Sequence, residues 1–207
     1  MVSKAEIVPI VIAIILLGIV LGLRDLGRIP VFILFAAIVV AANIAAKEVM
    51  AYILDAGLSI NFWHFQRYGF RRHEHMEKPF PIGIVAPIIT ALVTFGYVVW
   101  SAVLQYDVYA LKSRVSKRFG PYKFSEMTDF HVGLIGAAGI IVNLFIALIA
   151  YVIGFEELAL INLYYAFFNL IPISNLDGTR IFFGNMILWF ALAIVTVIAI
   201  LASWIIV

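Results

Sequence analysis

The chain has 207 residues, of which 65% are hydrophobic and only 13% charged, with a mean hydropathy of +1.10. A soluble domain of this length would carry about 25% charge, so the composition is that of an integral membrane protein. A net charge of +2 gives no basis for nucleic-acid binding, and the absence of cysteine excludes disulfides and thiolate metal sites.

Taken in order, the first apolar run, Ile7 to Leu23, lacks a small-residue cleavage site and is followed by Arg24-Asp-Leu-Gly-Arg28. It is expected to be a retained transmembrane helix rather than a signal peptide. A second helix starts after Pro30, a residue suited to a first helical turn, and reaches about Leu54. Its last turns hold Lys47 and Glu48 side by side. They either snorkel to the interface or serve a site.

From Ala56 to Pro79 the chain turns polar and aromatic. Ile60, Phe62, His64 and Gln66 alternate with Asn61, Trp63, Phe65 and Arg67, which fits a short strand ending at Gly69. His73 and His75, with Glu77, share a face only on a strand. They read as relocated metal ligands or as part of a basic loop against anionic headgroups.

Pro79 to Tyr106 is apolar and long enough to span, yet it holds Pro79, Pro81, Pro87, Gly83 and Gly96. Its second half, Tyr97–Tyr106, is rich in β-branched and aromatic residues. It is therefore either a spanning helix or a re-entrant hairpin with a strand after Gly96. A basic surface helix and loop follow (Lys112 to Lys123). A membrane helix then runs from His131 to about Gly154 and carries Gly133, Gly136, Gly139 and Asn143, small residues that suit close packing. After Glu156-Glu157 come a spanning helix from about Leu158 and a last helix from about Phe183.

The stretch Asn169-Leu-Ile-Pro172-Ile-Ser-Asn-Leu-Asp177-Gly178 puts a helix-breaking proline and a carboxylate at membrane depth. Such a carboxylate marks a site. The pattern N-x-x-P-x-x-x-L-D-G resembles the third core motif of the site-2 protease family of intramembrane zinc proteases, in which the Asp binds zinc. Gly139-x-x-x-Asn143 is similar to the family's second motif, with Ile140 in place of its proline. There the Asn helps to position the substrate backbone. The resemblance covers about residues 30–185 of a chain read as a single membrane domain, 1–207.

The first motif of that family, H-E-x-x-H, places two His on one helix face as zinc ligands and a Glu as general base. The aligned residues here are Lys47-Glu48-Val49-Met50-Ala51. Alanine has no donor atom and a protonated lysine has no lone pair. Asp177 alone would remain of the three ligands that catalytic zinc takes. The resemblance therefore implies the family fold and groove with an idle Glu48, an empty ligand position at Asp177 and no cofactor. Zinc would enter only through relocated ligands such as His73 and His75. The partners implied are the lipid bilayer and transmembrane or extended segments of other membrane proteins. A transporter unrelated to the family would call for more polar residues along several helices.

Topology separates the two readings of Pro79–Tyr106. If the segment is re-entrant, eleven Lys and Arg gather on one side, and only Arg24 and Arg28 lie on the other. That satisfies the positive-inside rule and brings Lys47 and Asp177 to one depth. The expected architecture is an α-helical polytopic protein with five transmembrane helices and a re-entrant β-rich hairpin, N-terminus cytoplasmic and C-terminus outside. Two carboxylates left without a metal need a cation in a poorly solvated site. Lys47, on the face expected to look at Asp177, is expected to supply it within about 4 Å.

Overall fold

The computed structural model describes residues 4–65, 79–111 and 127–206. His73, His75, Glu77 and the basic stretch 112–123 lie outside the described residues. Helix α1 (Lys4–Leu21) and two short 3-10 turns (Gly22–Arg24, Leu26–Arg28) lead into α2 (Ile29–Ile53). Strand β1 (Ala56–Phe62), helix α3 (Ile82–Val93) and strand β2 (Leu104–Ala110) follow. The chain then forms α4 (Asp129–Val152), α5 (Glu156–Leu170), α6 (Asp177–Gly184) and α7 (Met186–Ile206).

Four helices, α1, α2, α4 and α7, are long and apolar enough to cross a membrane. The segment expected as a further span from Leu158 is the 15-residue α5, about 22 Å at 1.5 Å per residue. The helix expected from Phe183 is two helices, α6 and α7, that meet at Asn185. Its backbone is extended there (φ −157°, ψ 97°) and its side chain caps the N–H of Leu188.

Lipid offers no hydrophobic drive for helix association, so contact depends on close approach and polar pairing. Gly18 on α1 and Gly22, four residues on at the start of the first 3-10 turn, supply the first. A Cβ on Gly18 would fall 2.3 Å from Ile33 Cγ1, and one on Gly22 2.7 Å from Ile29 Cγ1. On α4, Gly133 lies against the backbone of α6, where a Cβ would be 2.9 Å from Arg180 O and 3.3 Å from Gly184 Cα. Helix α7 stays at the periphery and turns Ile187, Ile194 and Ile198 outward.

The strands pair antiparallel from Ala56↔Ala110 to Phe62↔Leu104. Ala56, Leu58 and Ile60 alternate inward as a period of two requires. Both strands differ from expectation. The first ends at Phe62 rather than Gly69: Trp63 N–H still reaches Val103 O at 2.8 Å, but Trp63 O accepts from Gly83 N–H at the start of α3 instead of from the partner strand. The second starts at Leu104, not at Tyr97, because the chain before it has no strand beside it. The excursion from residue 56 to 110 closes on itself, with Leu111 N–H donating to Asp55 O at 3.2 Å. Its far turn, at Gly96 (φ +78°), reaches the stem of Arg24 at the other end of α1.

The bundle accordingly has two ends. One gathers the end of α2, the open end of the β-hairpin and the start of α4. The other gathers the 3-10 turns, Gly96 and the start of α5, where Arg28 holds Glu157 through two bonds of 2.6 Å.

Candidate functional site

The site forms where α2, β2, α4 and α6 meet. On α2 the residues Asn43, Lys47 and Ala51 recur every four positions, so they share one face, and all three are buried. That face meets α4 at Gly139, where a Cβ would lie 2.7 Å from Asn43 Nδ2 and 2.8 Å from Lys47 Cε. Gly139 is thus the gap through which the lysine stem passes.

Asp177 reaches the same place from the break between α5 and α6. Pro172 follows Ile171, whose extended backbone (φ −64°, ψ 128°) ends α5. The chain turns back through Ile173 N–H to Ile171 O and Leu176 N–H to Ile173 O, with Ser174 at φ +52°. The first turn of α6 then lies directly on the frayed end of α5. A Cβ on Gly178 would sit 2.0 Å from Leu170 O, so no other residue fits there without moving the backbone. This places the Asp177 carboxylate, with no solvent exposure, facing α2.

The expected ion pair is present. Lys47 Nζ lies 2.6 Å from Asp177 Oδ2. The ammonium also lies 4.7 Å from the centroid of the Tyr106 ring, and the Arg180 guanidinium lies at the same distance from it. Both are within cation–π range. Arg180 in turn donates to Asp107 Oδ1 at 2.7 Å. Two cations and two carboxylates are thus arranged around one ring, which is itself fixed by its hydroxyl donating to Val132 O at 2.8 Å. Glu48, next to Lys47 on α2 and about 100° round the helix axis, is half-buried.

Around this pair the polar groups are incompletely satisfied. Among the described residues, both amide atoms of Asn143, Nδ2 of Asn43 and Oδ1 of Asp177 are buried with no hydrogen-bond partner. Asn169 donates to Tyr165 O, one turn back on α5. Buried groups of this kind are exceptional, and each calls for an explanation by water, ion or ligand. Among the described residues no group of three or more His, Asp or Glu could hold a metal. His64 contacts Phe62 O, and His131 contacts Thr128.

Toward the Arg28–Glu157 end of the bundle, a separate cleft of about 880 Å³ runs between α1 and α2 on one wall and α5 and α7 on the other. Its floor is Gly96–Ser101, a turn at Gly96 and a bend at Tyr97 and Val98 that lead into the irregular residues before β2, and Tyr165 lines it toward Asn169. The stretch is held from one side only. Thr94 Oγ1 accepts from Val98 N–H, and Thr90 Oγ1 accepts from Trp100 N–H. The N–H groups of Val99 and Ser101 make no hydrogen bond among the described residues. The Ser101 hydroxyl is likewise buried without a partner among the described residues.

Sequence reasoning singled out Lys47, Gly139, Asn143, Asn169, Asp177 and Gly178, and the structure buries them around one helix junction. It passed over Asn43, although the i, i+4, i+8 spacing of Asn43, Lys47 and Ala51 signals a shared face. It also passed over Tyr106 and Arg180 as partners, because only the fold brings a strand and the α5–α6 break to the same helix. Compared with known protein families, curated proteins and solved structures, the chain matches none.

Proposed function

We propose that this chain is a non-catalytic relative of the site-2 proteases that binds extended or transmembrane segments of other membrane proteins. Its N-terminus would be cytoplasmic and its C-terminus outside. The observation that carries the reading is the unpaired edge at Val99 and Ser101, which opens into a cleft large enough for a peptide. Backbone donors at membrane depth have no water to satisfy them and require an internal partner. An added strand supplies carbonyls at the right repeat, the β-augmentation mode. Asn143, which the resemblance assigns to the substrate backbone, has both amide atoms unpartnered among the described residues but sits on α4, outside the lining of this cleft.

The loss of catalysis is supported by the ion pair. Where the family would hold a doubly charged metal, Lys47 supplies one positive charge to Asp177 and occupies the ligand position with an ammonium that cannot coordinate. Purified without chelator, the protein is expected to carry well under one zinc per chain. Stoichiometric zinc that is lost on mutating His73 or His75 would establish the active alternative with relocated ligands.

The binding site is tested by photocrosslinkers placed singly at Val99, in the cleft, and at Ile198, on the outward face of α7. Val99 is expected to trap membrane segments. Crosslinks formed only at Ile198 would overturn the proposal. Val103 is unsuited to the same purpose, since its side chain is fully buried and its carbonyl is taken by Trp63.

A further inference from the structure

We infer that Arg24, resting on Tyr97, selects the charge of the segment that enters the cleft, favouring one with an acidic residue at the end leaving past Tyr97. The inference rests on the binding reading above and adds the chemistry of the partner.

Four charged residues line the mouth of the cleft: Arg24, Asp25, Arg28 and Glu157. Two of them are paired. Arg28 is held bidentately by Glu157, and the Asp25 carboxylate turns back over the second 3-10 turn, where its Oδ1 is 3.5 Å from a Cβ position on Gly27. Arg24 is held differently. Its stem crosses Gly96, with Cγ 3.0 Å from a Cβ position there, and its guanidinium lies 4.0 Å from the centroid of the Tyr97 ring. It has no carboxylate partner among the described residues.

A stem set against a glycine and a head stacked on a ring leave the guanidinium fixed, with its outer N–H donors free for a bidentate acceptor. Arg24 also stands at the end of the binding edge. Tyr97 sits in the bend just before Val99, and Arg24, Tyr97, Val99 and Ser101 all line the same cleft. A segment lying along Val99 and Ser101 therefore passes Tyr97 and the guanidinium as it leaves the cleft. A carboxylate there completes the pair and a lysine there is repelled. The cation–π contact with Tyr97 is retained in either case, so it contributes nothing to the discrimination.

The test uses the full chain in a lipid nanodisc, with a photocrosslinker at Val99 and three synthetic transmembrane segments that differ only in one flanking residue: Glu, Gln or Lys. The Glu segment is expected to crosslink about fivefold more than the Lys segment, the ratio of one well-placed ion pair. Gln should fall between them, and 1 M salt should shrink the difference. Arg24→Glu is expected to invert the order. Equal yields from all three segments, or an order unchanged in Arg24→Glu, would overturn the role of Arg24 while leaving the cleft as the binding site. No crosslink at Val99 with any segment would overturn both.

Discussion

Lys47→Ala is expected to destabilise the protein by about 3–5 kcal/mol, the usual cost of leaving one partner of a buried ion pair alone. The expectation follows from where the pair sits. Asp177 has no exposed surface, and the 2.6 Å contact with Lys47 is the direct compensation for its charge. Removing the ammonium leaves a carboxylate that must take up a proton or draw water into the junction of α2, α4 and α6. Arg180 cannot readily replace it, because it is committed to Asp107 on β2 at 2.7 Å. The measurement is unfolding in detergent followed by thermal denaturation or graded SDS. The double variant Lys47→Ala with Asp177→Asn is expected to recover part of the loss, since the amide removes the uncompensated charge. A double variant as unstable as the sum of the two single ones would show that the two residues do not act as a pair. Lys47→Met, which keeps the stem in the gap beside Gly139, should separate the charge from the packing. With Asp177 unchanged it should be nearly as damaging as alanine, and with Asp177→Asn it should approach the parent.

Gly178→Ala is expected to have the next largest effect, at or above the upper end of the ~1–3 kcal/mol typical of overpacking. The added methyl would sit 2.0 Å from Leu170 O and 2.3 Å from Leu170 C. Both are backbone atoms, and neither can rotate away as a side-chain tip could. Leu170 O is also the acceptor for Trp189 Nε1 at 2.9 Å, so moving it disturbs the seat of α7 as well. Relief requires α6 to lift from the end of α5, which withdraws Asp177 from Lys47. The variant should therefore lose stability and, in addition, lose the coupling between positions 47 and 177 in the double-variant comparison. Gly154→Ala provides the contrast. Its φ of +84° carries backbone strain, but a Cβ there meets nothing within 4 Å. Its cost should be limited to the ~1–2 kcal/mol of a left-handed alanine, with the 47–177 coupling intact. Equal coupling in Gly178→Ala and the parent would show that the close approach at Leu170 does not position the carboxylate.

Much of the site was legible in the chain itself, and for local reasons. A proline four residues before a Leu-Asp-Gly must end a helix and begin another, whatever surrounds it. A lysine beside a glutamate within an apolar helix must find compensation at depth. Four-residue spacing puts Asn43, Lys47 and Ala51 on one face of α2 without reference to any other element. Charge asymmetry across the apolar runs gave the expectation of an excursion that returns to the side it left; what the structure shows is that Leu111 N–H donates to Asp55 O and joins the two ends of that excursion. These features depend on backbone chemistry and on the cost of burying charge, and both act over a few residues.

What only the tertiary structure decided lies in contacts between distant segments. The strand after Gly96 was expected from β-branched composition at Tyr97–Tyr106, but pairing requires a partner, and β1 reaches only as far as Leu104. The residues before it turn and bend instead, with Val98 and Trp100 N–H groups taken by Thr94 and Thr90. Composition cannot distinguish a paired strand from an unpaired one, because the same residues suit both. The placement of Tyr106 between Lys47 and Arg180, the Arg28–Glu157 pair and the isolation of Arg24 on Tyr97 bring together residues 59 to 133 positions apart. No local spacing encodes such distances. They are set by how closely the glycine faces of α1 and α4 let their neighbours approach, and that depends on the shapes of both surfaces at once.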